Sequence, residues 1–308
     1  MRKLSRKLLV SILSLTFSVF VFGTATFAWF TLSDTATVSQ FYANVTSSDG
    51  IEVSLGDSNP DFYTNVPASV VTSFLNGAGF GSDFRMNHIT SLDGKTFKDM
   101  DGVIKSEADE DGYIEFKLRF RSLTEGVDVY VANGSGLSSD VKTWKSDTNF
   151  INSKGTEIAV GEEQDYYIAN ATRFSISTVV AGNEIVKIIY ELPENAYGTN
   201  SDVEYGNKVL GDTPQLEGAV HYYNQKNGLI SIPGEEYNGL NFSAATLPDS
   251  NTSFTELSPI VTLTNKIGDY YYGVVTVRVW IEGWDPDCFD SLFGSNLKID
   301  LKFTRIQP

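Results

Sequence analysis

Apolar and polar residues alternate with a period of two along much of the chain. Between residues 113 and 121, Ile114, Phe116, Leu118 and Phe120 fall between Glu115, Lys117, Arg119 and Arg121. That pattern puts four apolar side chains on one face of a strand and charges on the other. Thr124-Glu125-Gly126 then supplies turn chemistry, and Val127, Val129 and Val131 resume the alternation, which predicts an antiparallel hairpin. Phe174, Ile176 and Thr178 form another set, as do Val186, Ile188, Tyr190 and Leu192. In the last third, Val275, Val277, Val279 and Ile281 alternate with Thr276, Arg278, Trp280 and Glu282, which predicts a wet face for the second four. Leu297, Ile299, Leu301 and Phe303 repeat the pattern, and Ile51, Val53 and Leu55 show it near the other end.

Helical signals are few. Residues 68–75 give a short apolar stretch ended by Gly77 and Gly81, and the loop at 283–296 has room for one helical turn near Cys288. One-sided alternation favours antiparallel sheets with a core face and a solvated face, and two such sheets packed together form a sandwich. The predicted fold is therefore all-β: an antiparallel β-sandwich, jelly-roll-like, with long loops at roughly 57–110, 133–165 and 194–258. Residues 29–308 read as a single domain, with the middle loops as the place where a second small module would sit.

The first thirty residues follow a different rule. Arg2, Lys3, Arg6 and Lys7 precede an acid-free, mostly apolar run over 8–22, and small or hydroxyl residues lead to Ala28. A basic region, an apolar region and a small residue, in that order, make a secretory leader. Two topologies fit residues 1–28. In one, a signal peptidase cuts between Ala28 and Trp29. In the other, an apolar helix extended towards Phe30 stays as a membrane anchor. Both leave the basic end in the cytoplasm and export the body, so the membrane is met only through the leader.

Charge narrows the partners. The chain has 23 basic and 39 acidic residues, a net of −16; removing the leader's four basic residues leaves 19 against 39, a net of −20. Such a body repels phosphate backbones, which excludes nucleic acid as the expected partner. Cys288 is the lone cysteine, so no intramolecular disulfide forms and the core alone must hold the domain.

Catalytic motifs are missing: there is no His-Glu-x-x-His, no Gly-x-Ser-x-Gly elbow and no phosphate-binding loop. His88 and His221 stand in unrelated contexts as surface or turn residues, and Cys288 among aromatics reads as a packed apolar side chain. Three acidic groups invite calcium, which takes six to eight oxygens: Asp99 with Asp101, Asp109 with Asp111, and Asp285-Pro286-Asp287 with Asp290. Turn chemistry is the preferred reading of the first two. The third, crowded by Trp280 and Trp284, is the candidate metal or partner site. Tyr166-Tyr167, Tyr222-Tyr223, Tyr270-Tyr271-Tyr272, Trp280 and Trp284 offer stacking faces for sugars, although aromatics also favour strands for packing alone.

Ala25-Thr26-Phe27-Ala28-Trp29-Phe30-Thr31, with Asp34-Thr35-Ala36-Thr37-Val38, resembles the leader and mature start of the TasA/camelysin family of bacterial surface and biofilm-fibre proteins. The resemblance covers about thirty residues. It implies a jelly-roll subunit that polymerises outside the cell, its freed N-terminal segment completing a neighbour's sheet. Residues 31–45 are rich in Thr, Ala, Val and aromatics, so an extended strand there is expected on propensity as well. It can pair within its own sandwich or with a second copy, and Thr35, Ala36, Thr37 and Val38 are the candidate exchange residues.

The expectation is a noncatalytic cell-surface structural protein, a fibre or matrix subunit that self-associates or meets other surface proteins, without a resident cofactor unless calcium serves. The alternatives are a membrane-tethered adhesin or carbohydrate-binding sandwich, and a secreted hydrolase using paired carboxylates.

Overall fold

The computed structural model describes residues 41–81, 84–99, 103–153, 155–193, 218–226, 250–255, 257–288, 290 and 294–308. The leader with Ala28 and Trp29, and the candidate exchange residues Thr35, Ala36, Thr37 and Val38, lie outside the described residues, as does most of the predicted loop at 194–258.

In chain order, β1 (Phe41–Ser47) and β2 (Glu52–Leu55) are followed by α1 (Ala68–Gly77), which fulfils the weak helical signal there. Next come the two-residue strands β3 (His88–Ile89), β4 (Phe97–Lys98) and β5 (Ile104–Lys105), and the single turn α2 (Ala108–Asp111). After β6 (Ile114–Ser122) and β7 (Val127–Val131), the predicted loop at 133–165 is built from small strands: β8 (Gly136–Ser139), β9 (Lys142–Lys145), β10 (Phe150–Ile151), β11 (Glu157–Ile158) and β12 (Glu163–Tyr166). The chain continues with β13 (Thr172–Val180), β14 (Asn183–Tyr190), α3 (Gly218–Lys226), β15 (Val261–Leu263), β16 (Asn265–Ile267), β17 (Tyr270–Glu282) and β18 (Leu297–Thr304).

Two larger sheets result. One runs β14-β13-β17-β6-β2, with β16 and β3 also bonded to β17; the other runs β1-β18-β7-β15, with β8 also on β18. They face each other as an all-β sandwich. Leu118, Phe120, Phe174, Ile176, Val275 and Val277 from the first meet Val45, Val129, Leu297, Ile299, Leu301 and Phe303 from the second in one buried cluster. Phe120 and Phe303 touch edge to face across the layers, their ring centroids 4.8 Å apart.

The predicted hairpin of β6 with β7 does not form. β6 pairs with β17 and β2, whereas β7 pairs with β15 and β18 in the opposite layer. The turn at 123–126 carries the chain between sheets, and the Gly126 N–H donates to Leu263 O at 2.9 Å, handing β7 to β15. Both strands still point their apolar faces at one core, so their periodicity is the same as in a hairpin. The sheets are also not wholly antiparallel: β1 lies parallel to β18 over seven residue pairs, and β3 lies parallel to β17. Far apart in sequence, these partners have no tight turn to fix their direction.

β13 and β14 do form a hairpin, through Ala181 at φ 50° and Gly182 at φ 82°, the left-handed pair that matches strand twist. A bulge interrupts it: Ile176 opposes Ile188 and Ser177 opposes Val186, so the ladder skips Lys187. The slip moves Val186 off the core face that Ile188 and Tyr190 share and packs it against a second apolar cluster of Ile89, Phe97, Tyr113, Ile189 and Trp280. This cluster explains another departure. Trp280 and Glu282, expected on a wet face, are fully buried because Ile89, Phe97 and Tyr113 pack over that end of the sheet. Gly94 sits hard against it: its φ is +67°, and an added Cβ would lie 2.8 Å from Ser175 Cβ.

Candidate functional site

The outer face of the larger sheet carries a file of arginines, each set by strand register. Deepest is Arg173 on β13, opposite Trp280 on β17. Its guanidinium reaches Glu191 Oε2 at 2.6 Å and Asp285 Oδ2 at 2.7 Å, and the three side chains are 0–4% exposed. Glu282 lies in the same group. It accepts from Trp280 Nε1 at 3.0 Å and from the backbone N–H groups of Ser91 and Trp284. Burial pushes the Glu282 carboxyl above the usual range, against the pull of Arg173 and these donors. One cation among three buried carboxylates ties β13, the end of β14 and the loop after β17 together. Sealed from solvent, the group is a clamp in this fold.

The middle of the file is Arg278, which donates to Glu115 at 2.6 Å and to Glu184 at 2.5 Å. Burial alone would lower its pKa, but hydrogen bonds to both carboxylates and their charge hold it above the ordinary arginine value. At the exposed end are Arg119 and Arg121 of β6. Arg121 donates to Glu52 at 2.6 Å and lies 4.2 Å from the ring centroids of both Phe62 and Tyr270. Arg119 lies 5.1 Å from Phe62 and 5.8 Å from Tyr272, and donates to the carbonyl of Asp57.

The acidic segment nominated from sequence is divided among separate partners. Asp285 takes Arg173, and its second oxygen accepts the N–H of Asp287 at 2.9 Å, an Asx turn around Pro286. Asp287 accepts from Ser153 Oγ at 2.5 Å and from Asn170. Asp290 receives Lys226 and the Tyr222 hydroxyl, both from α3, so it anchors that helix. Among the described residues no group of three His, Cys, Asp or Glu side chains is placed to hold a metal ion. Asp99 closes its own turn through the N–H of Val103 and pairs with Lys105 at 3.2 Å; Asp101 and the side chains of Asp109 and Asp111 lie outside what is described.

His88 is half-buried rather than at the surface, and desolvation lowers its pKa to about 4 despite the charge of Asp290. His221 accepts the backbone N–H of Ile151 at 2.7 Å, fixing α3 to β10. Cys288 is buried, which raises its thiol pKa, as a packed side chain requires. Among the tyrosines, Tyr166 and Tyr222 are buried, and Tyr271 packs on the core. Tyr270 and Tyr272 share the opposite face, their rings 6.4 Å apart. Sequence reasoning missed Arg173, Glu191 and Lys226, whose partners are distant in the chain. The outward alternation of Arg119 and Arg121 was visible, but not the ring of Phe62 laid between them.

No family model matches this chain, and neither the curated proteins nor the solved structures contain a match to it.

Proposed function

We propose that the chain is a noncatalytic structural protein exported to a bacterial surface, a fibre or matrix subunit whose N-terminal strand is exchanged between copies. The observation that carries the reading is the position of β1. It lies at the edge of the smaller sheet and follows directly on the segment that cleavage after Ala28 would free. Ala43 and Val45 enter the core, while Tyr42 and Asn44 point outward. An edge strand can leave by giving up its ladder to β18 and a short bridge at Asn65, without opening any other pair in the sheet. A neighbour's strand of the same sequence restores each lost bond, so exchange costs little once two copies meet.

Electron microscopy tests this on protein starting at Trp29, compared with protein lacking residues 29–47, which removes β1 together with the segment ahead of it. Filaments from the first and monomers from the second are expected; monomers from both at high concentration would overturn the proposal. Mass analysis from the native cells is expected to find Trp29 as the first residue, the mark of signal-peptidase release.

A further inference from the structure

The exposed end of the arginine file is an unusual surface for a chain of net charge −16. Phe62, Tyr270 and Tyr272 form a half-exposed aromatic row with the guanidinium groups of Arg119 and Arg121 laid against it. Phe62 and Tyr272 meet edge to face at 5.8 Å. Lys117, the next outward residue of β6, is neutralised by Asp57 at 2.8 Å, and Arg121 by Glu52. Arg119 has no carboxylate partner among the described residues; its one protein acceptor is a backbone carbonyl. Among the described residues the site therefore holds one cation without a carboxylate partner, with aromatic rings beside it.

We propose that this row binds a saccharide bearing an isolated carboxylate, an acid sugar flanked by neutral ones. A guanidinium carries five N–H donors in a planar fork that matches a carboxylate, and the Asp57 carbonyl takes only one of those of Arg119. The half-exposed tyrosines beside it offer apolar faces and hydroxyls, the pairing of surfaces that a pyranose ring presents in return. A free phosphate or polyphosphate meets the fork but leaves the rings unused, and a neutral glycan uses the rings but leaves the cation unmet. A densely charged polyanion is opposed by the net charge of the body. The ligand that satisfies all three conditions carries sparse acid groups on a chain of sugar rings. This inference stands apart from strand exchange, since the row lies on β6 and β17 of the larger sheet while β1 belongs to the smaller one, and its readout is sugar binding whether or not β1 is exchanged.

Calorimetric titration of the protein from Trp29 onward tests it, with a hyaluronan hexasaccharide, whose acid and neutral sugars alternate, as the probe. The comparison ligands are a neutral chitin hexasaccharide and tripolyphosphate. The hyaluronan fragment is expected to bind in preference to both. Arg119→Gln is expected to weaken it about ten- to a hundredfold, the loss of one charge-assisted bidentate contact. Tyr270→Ala, which leaves Arg119 in place, is expected to weaken it as well, and Lys145→Gln on the distant β9 to leave it unchanged. Circular dichroism confirms that each variant is folded. Failure of the wild type to bind the fragment, equal binding by Arg119→Gln, or equal affinity for the neutral hexasaccharide or tripolyphosphate would overturn the proposal. So would concentration-dependent dimerisation abolished by Arg119→Gln without sugar, which would assign the row to a second copy.

Discussion

Replacing Arg173 with methionine keeps the length of the side chain and removes its charge, leaving Glu191 and Asp285 facing each other without a counter-ion. With N–O separations of 2.6 and 2.7 Å, each attraction is about 6 kcal/mol at an effective dielectric of about 20, offset by several kcal/mol of desolvation for each buried ion. The intact cluster therefore contributes little net stability. The broken one does not, because two carboxylates remain buried without compensation, and such losses cost about 3–5 kcal/mol. For a chain of this size that lowers the melting temperature by roughly 10 °C. The carboxylates can escape the penalty by taking up protons, so the cost should shrink as the pH falls towards 5. Scanning calorimetry of Arg173→Met at neutral and mildly acidic pH measures both effects. Replacing Glu191 and Asp285 as well, by leucine and asparagine, should restore much of the loss. A single variant melting within about 2 °C of wild type, or a penalty that does not change with pH, would refute the account of the cluster as an ion-paired clamp.

Three further outcomes are expected. His88 has a folded pKa of about 4 against 6.5 for the free side chain. The unfolded state thus binds the proton first, and this residue alone costs about 3 kcal/mol of stability as pH falls through that window. Glu282, with its raised pKa, acts in the opposite direction, so the readout is the difference between wild type and His88→Asn in urea unfolding at pH 7 and pH 4. A difference independent of pH contradicts the assignment. Gly94→Ala and Gly126→Ala both place alanine at positive φ, +67° and +73°, but only Gly94 would drive its Cβ into Ser175 and Ile189, whereas Gly126 meets nothing within 4 Å. About 1 kcal/mol is expected for Gly126 and about 2–4 kcal/mol for Gly94, and equal losses would show that packing at Gly94 is looser than described. Cys288 should resist a thiol reagent in the native protein and react once denaturant is added; rapid native labelling would contradict its burial.

The strands that built the core were legible because their alternation is uninterrupted. Ile114 to Phe120, Val275 to Ile281 and Leu297 to Phe303 face inward as their period requires. What periodicity could not carry was which strand pairs with which. The turn at Thr124-Glu125-Gly126 has hairpin chemistry, yet it crosses between layers, because the partner of β7 comes from residues 261–263. The skipped Lys187 reverses Val186 with no signature in composition. Trp280 and Glu282 read as solvated because their cover, Ile89, Ser91 and Phe97, is about 190 residues away. The candidate site shows the same limit. Asp285, Asp287 and Asp290 stood out as a crowded acidic segment, but their cation and hydroxyl partners, Arg173, Lys226 and Ser153, are single residues in separate elements. A charge cluster is visible locally; its compensation is set by tertiary folding.

The parallel ladder between β1 and β18 has a mechanical consequence. Phe41 lies beside Leu297 and Ser47 beside Phe303, so tension applied ahead of Phe41 and beyond Thr304 pulls the two strands past each other lengthwise. Every rung then shares the load, instead of opening one after another as in a zipper. A molecule held at one end of its chain and tugged at the other meets that force first with seven residue pairs loaded together.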